Sequence, residues 1–185
     1  MIWVLVGIVA VLLTVVLCAI VLSRRRTARL REDFGPEYDR TLRAHGDQHT
    51  AEAELQRRRA RRRRLDIRPL DPVARERYAE RWTETQRRFA DAPAPAVAEA
   101  DDLIIEVMRE RGYPVDDFEQ RAAGISVDHP ETVEHYRAAH AISLASAAQG
   151  AKTADLHKAM VHFRALFDEL LHDDDRDRDH AGEMS

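Results

Sequence analysis

The chain has a single cysteine, Cys18, and only seven glycines in 185 residues. One cysteine excludes an intramolecular disulfide and a metal site built from several thiolates. The glycines are scattered along the chain, and none of them forms the glycine-rich turn, between a strand and a helix, that holds nucleotide phosphates. The sequence therefore excludes the disulfide-rich scaffolds and gives no sign of a nucleotide-binding fold.

Lysine is also scarce, and the charges are unevenly placed along the chain. Only Lys152 and Lys158 accompany 27 arginines. The net charge of −4 hides a basic segment, residues 24–64, with 14 Arg against 7 acidic residues, and an acidic one, residues 91–185, with 21 acidic residues against 9 basic ones. Such asymmetry indicates an anionic partner for the first part of the chain.

The first 23 residues contain a long run without charge. Ile2 to Leu22 reads IWVLVGIVAVLLTVVLCAIVL, and a helix of this length spans about 30 Å, the thickness of a bilayer's hydrocarbon core. A cleaved signal peptide is the alternative, but Ser23-Arg24 is a poor cleavage site and no basic residue precedes the core. We therefore expect residues 1–23 to be a transmembrane anchor.

The charges that flank the run predict its orientation. Arg24, Arg25 and Arg26 follow it directly, Arg29 and Arg31 lie close behind, and no Lys or Arg precedes it. The positive-inside rule then predicts a single-pass protein of the cell membrane whose C-terminal part is cytoplasmic.

Small residues recur along one face of the predicted anchor. Gly7, Ala10, Thr14 and Cys18 share this face, and such a stripe lets two helices approach closely. It predicts a transmembrane packing face and a possible homodimer, although a span rich in Val, Leu and Ala also produces such stripes by chance.

Beyond the anchor the sequence predicts three segments. Residues 24–64 are expected to be a basic juxtamembrane connector, in which Gly35-Pro36 ends one helix and starts another. Residues 48–64 have helical propensity but no apolar stripe, which is typical of a helix that is exposed, marginally stable or ordered only on binding. Residues 65–172 are expected to form a bundle of four main helices and one short helix, and residues 173–185 an acidic, disordered tail. The predicted fold class is all-α.

The bundle prediction depends on 3.6-residue apolar periodicity. Capping signals at Asp71-Pro72 and Gly112 bound two of the predicted helices. The apolar faces are predicted to comprise Tyr78, Trp82 and Phe89; Val97, Leu103, Ile104, Val107 and Met108; Val133, Tyr136, His140, Leu144 and Ala147; and Leu156, Met160, Phe163, Leu166, Phe167 and Leu170.

Two stretches resemble a known group of proteins. LDIRPLDPVARERYAERW at residues 65–82 and VMRERGYPVDDFEQRAAGISVDHP at residues 107–130 resemble small helical membrane or secreted proteins of high-GC Gram-positive bacteria whose function is not established. The resemblance covers about residues 65–171 and implies a recurring helical module, with no catalytic residues to transfer. The description "secreted" conflicts with the orientation predicted from the arginines.

No catalytic, cofactor or metal site is predicted. Among nine histidines, His140 lies on an apolar face and is expected to be a hydrogen-bonded core residue, with His135 on the opposite side. Glu169 and His172 have the spacing used in di-iron bundles, which need a second such pair and two further Glu. The carboxylate pairs Asp101-Asp102 and Asp116-Asp117 are expected on a solvated surface, so we expect no enzyme.

The strongest functional signal is a run of seven arginines in eight positions. Three anionic partners are open: lipid headgroups, which attract basic residues next to a membrane; nucleic acid, disfavoured because no aromatic residues interleave the run; and an acidic protein surface of the same or a second chain. The leading prediction is a membrane-tethered helical interaction module with an unknown protein partner. The alternatives are a nucleic-acid tether and, less favoured, an enzyme with a site that the sequence does not reveal. The run comprises Arg57, Arg58, Arg59, Arg61, Arg62, Arg63 and Arg64.

Overall fold

A computed structural model describes the backbone of residues 2–149 and 152–182, and the side chains of residues 13–18, 20–147 and 152–172. This part of the chain is all-helical, with eight helices and no strand. The predicted fold counted only the anchor and five bundle helices; the two further helices lie in the connector, where the sequence had indicated a helix start at Pro36 and helical propensity over residues 48–64. The chain divides into two compact units, Met1–Leu55 and Gln56–Ser185.

The first unit is built from α1 (Ile2–Phe34), α2 (Pro36–His45) and the first half of α3 (Gln48–Arg62). The break between α1 and α2 lies at Gly35, whose φ of 45° is strained for other residues, and Pro36 opens α2. Gly46 ends α2 in the left-handed conformation, with its N–H bonded to the Leu42 carbonyl. The break at Gly35-Pro36 agrees with the sequence prediction.

A small core holds these three helices together. Leu30 and Phe34 of α1, Tyr38 of α2, and Ala51 and Leu55 of α3 are all at most 2% exposed. The sequence predicted no buried face for residues 48–64, and this was wrong for the start of α3. Two residues spaced four apart, one of them a small alanine, are enough to bury one face of α3.

The second unit contains the end of α3 and the five helices α4 (Pro72–Phe89), α5 (Pro93–Arg111), α6 (Phe118–Asp128), α7 (Thr132–Gln149) and α8 (Thr153–Gly182). The Asp71 carboxylate caps α4 by accepting the Ala74 N–H at 2.8 Å, and Asp117 caps α6 in the same way through Gln120 at 2.7 Å. Gly112 ends α5 with φ of 95°, as its position after a basic last turn predicted.

Helix α5 lies at the centre of this unit, since it packs on α4, α7 and α8, while α7 also packs on α6 and α8. The Trp82 ring of α4 stacks on Phe167 of α8 with centroids 4.5 Å apart. The predicted apolar faces of α5 and α8 are buried, but that of α7 was only partly right, because Leu144 is 59% exposed. Helix α8 is described as far as Gly182, beyond residue 172, where the sequence predicted the bundle to end.

Among the described residues, no helix is both long and apolar enough to cross a membrane. The side chains of residues 2–12, which make up half of the predicted anchor, lie outside the described set.

Candidate interaction site around the arginine run

Most of the arginine run lies in the last turns of α3, where some of its side chains are exposed and others are half-buried. Arg57 and Arg61 are exposed, as are Arg63 and Arg64 in the turn that follows. Arg58, Arg59 and Arg62 are half-buried. Residues 58 and 62 are four apart and therefore share one face of the helix.

That face contacts the polar end of α6. Arg62 donates from Nε to Oδ2 of Asp128, and the Tyr113 hydroxyl donates to the same oxygen at 2.7 Å. The Arg62 guanidinium carbon lies 5.9 Å from the centroid of the Tyr113 ring, within cation–π range. One turn back along α3, Nη1 of Arg58 lies 3.5 Å from Oγ of Ser126, at the limit of a hydrogen bond.

The electrostatics of this cluster keep Tyr113 protonated. Burial raises the pKa of its hydroxyl, and the neighbouring Asp128 carboxylate raises it further. A protonated phenol can donate to Asp128, whereas a phenolate would repel it. Asp128 therefore accepts two hydrogen bonds, one of them charge-assisted. Of the three partners left open by the sequence, an acidic group of the same chain is the one that Arg62 contacts.

The other predicted site residues lie on α1. Arg24, Arg25 and Arg26 are exposed, and so are Thr14 and Cys18 of the small-residue stripe. Gly7 and Ala10 of that stripe lie outside the residues whose side chains are described. The predicted packing face stays a prediction.

A polar cluster at the start of α3 was not predicted. Oε1 of Glu52 accepts hydrogen bonds from Thr27 of α1 at 2.7 Å, from Tyr38 of α2 at 3.1 Å and from Gln48 of α3 at 2.8 Å. Burial would raise the pKa of Glu52, but these three donors outweigh it and lower the pKa. The Glu52 carboxylate thus links the three helices of the first unit. Its partner on α1, Thr27, directly follows Arg24–Arg26 in the sequence.

The structure around Asp101 and His140 differs from two sequence predictions. Asp101 was expected on a solvated surface, yet its side chain is only 17% exposed and its Oδ2 lies 3.7 Å from Nδ1 of His140. Burial raises the pKa of Asp101, while the nearby His140 and Arg121 lower it. His140 was expected to be hydrogen-bonded, but its Nδ1 has no hydrogen-bond partner. Its ring stacks on Phe118 at 3.8 Å instead.

Arg121 and Tyr136 complete this polar group between α5, α6 and α7. Nε of Arg121 donates to the Tyr136 hydroxyl at 2.8 Å, and its Nη1 donates to the Val115 carbonyl at 3.2 Å. Burial raises the pKa of Tyr136, and the Asp101 carboxylate adds to the rise. The arrangement joins α5, α6 and α7 through polar contacts, and within it Oδ1 of Asp101 and Nδ1 of His140 have no hydrogen-bond partner.

A pair of histidines was also not predicted as a contact. Nδ1 of His135 on α7 lies 2.8 Å from Nδ1 of His162 on α8. His135 was expected on the side of its helix opposite His140, but the register between α7 and α8 decides whether it meets His162. Among the described residues, no group of three or more His, Cys, Asp and Glu side chains could hold a metal ion.

Comparisons with known proteins add no relative. No protein-family model, curated protein or solved structure matches the chain.

Proposed function

We propose that the chain is a single-pass membrane protein whose helical units act in the cytoplasm as an interaction module. The observation that carries this proposal is the uncharged run from Ile2 to Leu22, which lies wholly within helix α1. Its described apolar side chains are left open to solvent: Leu13 is 65% exposed and Leu17 is 63% exposed. A helix apolar on every side needs cover, and lipid supplies it.

The arginines support the proposed orientation of the chain, and they favour anionic lipid as a ligand of this module. Exposed Arg24, Arg25 and Arg26 follow the proposed span directly, where they oppose transfer across the membrane. Basic residues next to an anionic leaflet gain about 1 kcal/mol each. We assign the exposed arginines of the run, Arg57, Arg61, Arg63 and Arg64, to anionic lipid as well, while Arg58 and Arg62 hold α3 on the bundle.

Lipid binding is tested with the full chain reconstituted in nanodiscs of defined headgroup charge. Replacing the four exposed arginines of the run by Gln should weaken the binding of the chain to the anionic lipids of its disc. This binding is measured as the degree to which the chain prevents a competing polybasic probe from binding the same lipids. The matched variant replaces Arg40, Arg43, Arg87 and Arg88 by Gln and removes the same charge elsewhere. Equal protection by both variants would contradict the assignment to lipid.

A second candidate function is a nucleic-acid tether, favoured by the exposure of the same four arginines. Duplex DNA binding by the reconstituted chain should then weaken steeply with salt and vanish in the four-Gln variant. Absence of binding at about 50 mM salt, where phosphate contacts are strongest, would exclude this function and leave the lipid assignment.

The interaction module itself is tested in cells. A pull-down from crosslinked membranes should recover a reproducible protein partner from the full chain. That partner should be lost when residues 65–171 are deleted while the anchor and residues 24–64 stay in place. An unchanged set of partners after the deletion would contradict the role given to the bundle.

A further inference from the structure

The contact between His135 and His162 joins α7 and α8 on the surface of the second unit. Their Nδ1 atoms are 2.8 Å apart, and the ring centroids are 5.0 Å apart with the planes inclined by 33°. His135 is exposed and His162 is half-buried, so a small solute can reach the pair from solvent. The two nitrogens are within hydrogen-bond distance, and a hydrogen bond between them requires that one is protonated and the other is not.

The distance between the nitrogens suits a shared cation. Two metal–nitrogen bonds of about 2.0–2.1 Å at a right angle place the nitrogens about 2.9 Å apart. Neutral imidazole is a preferred ligand of divalent copper, nickel and zinc. We propose that His135 and His162 form a two-histidine site for a divalent transition-metal cation, with water in the remaining coordination positions.

The surrounding structure holds both rings ready to bind. Tyr136 and Phe163, the next residue on each helix, are fully buried and their rings lie 6.3 Å apart. They fix the two helices at the level of the histidines, so little ordering remains when a cation binds.

Binding needs no net loss of a proton from the neutral pair. The ring that carries a proton on Nδ1 changes tautomer and carries it on Nε2, and both Nδ1 lone pairs then face the cation. Lys158 lies one turn before His162 on α8, but its ammonium group is 3.2 Å from Asp155 and is partly neutralised by it. The site is independent of the function proposed above, and either can fail without the other.

The test uses the full chain in nanodiscs, purified with an affinity tag that contains no histidine, and Cu²⁺ as the probe. Electron paramagnetic resonance should show one Cu²⁺ per chain with two imidazole nitrogens in its equatorial plane. Either His135→Asn or His162→Asn should leave one such nitrogen and weaken binding roughly tenfold or more, since the second ligand no longer binds intramolecularly.

The control is His172→Asn, which removes a histidine from the same helix α8. Two imidazole nitrogens that persist in the control and are lost in both pair variants support the site. Copper signals that are the same in the wild type and in the double variant would overturn it, as would wild-type spectra with no imidazole nitrogen. A folded double variant is confirmed by its unchanged circular dichroism.

Discussion

The guanidinium group of Arg62 contacts two groups at once: the carboxylate of Asp128, through Nε, and the aromatic ring of Tyr113. This contact explains why a run of seven arginines can lie on a folded unit. On one face of α3, Arg62 is paired with an acid of the chain itself, and the exposed arginines of the run are accessible to an external anion. Like charges packed this densely repel each other, and a fixed acid on the bundle offsets part of that repulsion.

The first prediction concerns this acid. Asp128→Asn removes a charge-assisted hydrogen bond at a site where Arg62 and Asp128 are 26% and 20% exposed, so we expect a loss of about 1.5–3 kcal/mol in the free energy of unfolding. Urea unfolding followed by Trp82 fluorescence measures it, in a Trp3→Phe background that leaves one tryptophan. Asp116→Asn, on the exposed turn before α6, should change stability by less than about 0.5 kcal/mol.

The second prediction compares two leucines of the α7–α8 pair. Leu166 of α8 is 0% exposed and Leu144 of α7 is 59% exposed. Leu166→Ala should therefore cost about 2–5 kcal/mol through lost contacts and a cavity, and Leu144→Ala less than about 0.5 kcal/mol. The same unfolding measurement compares them. Equal losses would mean that Leu144 is buried, as the periodicity of α7 predicts, and would contradict its exposure.

The contrast between Leu166 and Leu144 separates the features of the fold that the sequence predicts from those that it does not. The caps at Asp71 and Gly112 and the stripes on α5 and α8 were predicted correctly, because local chemistry and a 3.6-residue period determine them. Leu144 was assigned to the core because it continues the period of Val133 and Tyr136. Its exposure depends on how α7 packs against its neighbours, and no pattern within α7 contains that information.

The third prediction uses two glycines with positive φ. A Cβ at Gly112 would lie 2.5 Å from the Asp66 carbonyl oxygen, whereas a Cβ at Gly46 would have nothing within 4 Å. Gly46→Ala should cost about 1 kcal/mol through backbone strain alone. Gly112→Ala should cost more than this, since the backbone carbonyl of Asp66 must also move. Amide hydrogen exchange in α2 and α5 reports on each site separately, and protection lost equally in both would contradict the close approach.

The fourth prediction is a dependence of stability on pH. The pKa of His162 is lowered from 6.5 in the folded state, mainly by burial and then by His135. The folded state therefore binds fewer protons than the unfolded one, and stability is present above pH 6.5 and falls as the pH drops below it. His162→Gln should flatten this fall, and His135→Gln should flatten it only in part because burial of His162 persists. An identical pH profile in wild type and His162→Gln would refute the linkage.

The candidate sites were less predictable from the sequence than the helices. The arginine run was evident, but its division into Arg58 and Arg62 on the bundle and Arg57 and Arg61 in solvent depends on the position of Asp128, more than 60 residues away in the chain. The contacts of Glu52 with Thr27 and of His135 with His162 are of the same kind. They join side chains that each look solvated within their own helix, and only the packing of helices brings them together.

The proposed membrane tether and its orientation are tested most directly by thiol labelling in intact cells. Val73, 75% exposed at the start of α4, is replaced by Cys in a Cys18→Ser background, so that the new thiol is the only one in the chain. A membrane-impermeant maleimide should leave the membrane fraction unlabelled in intact cells and label it fully after lysis. Labelling of intact cells, or recovery of the chain in the soluble fraction, would contradict the proposal.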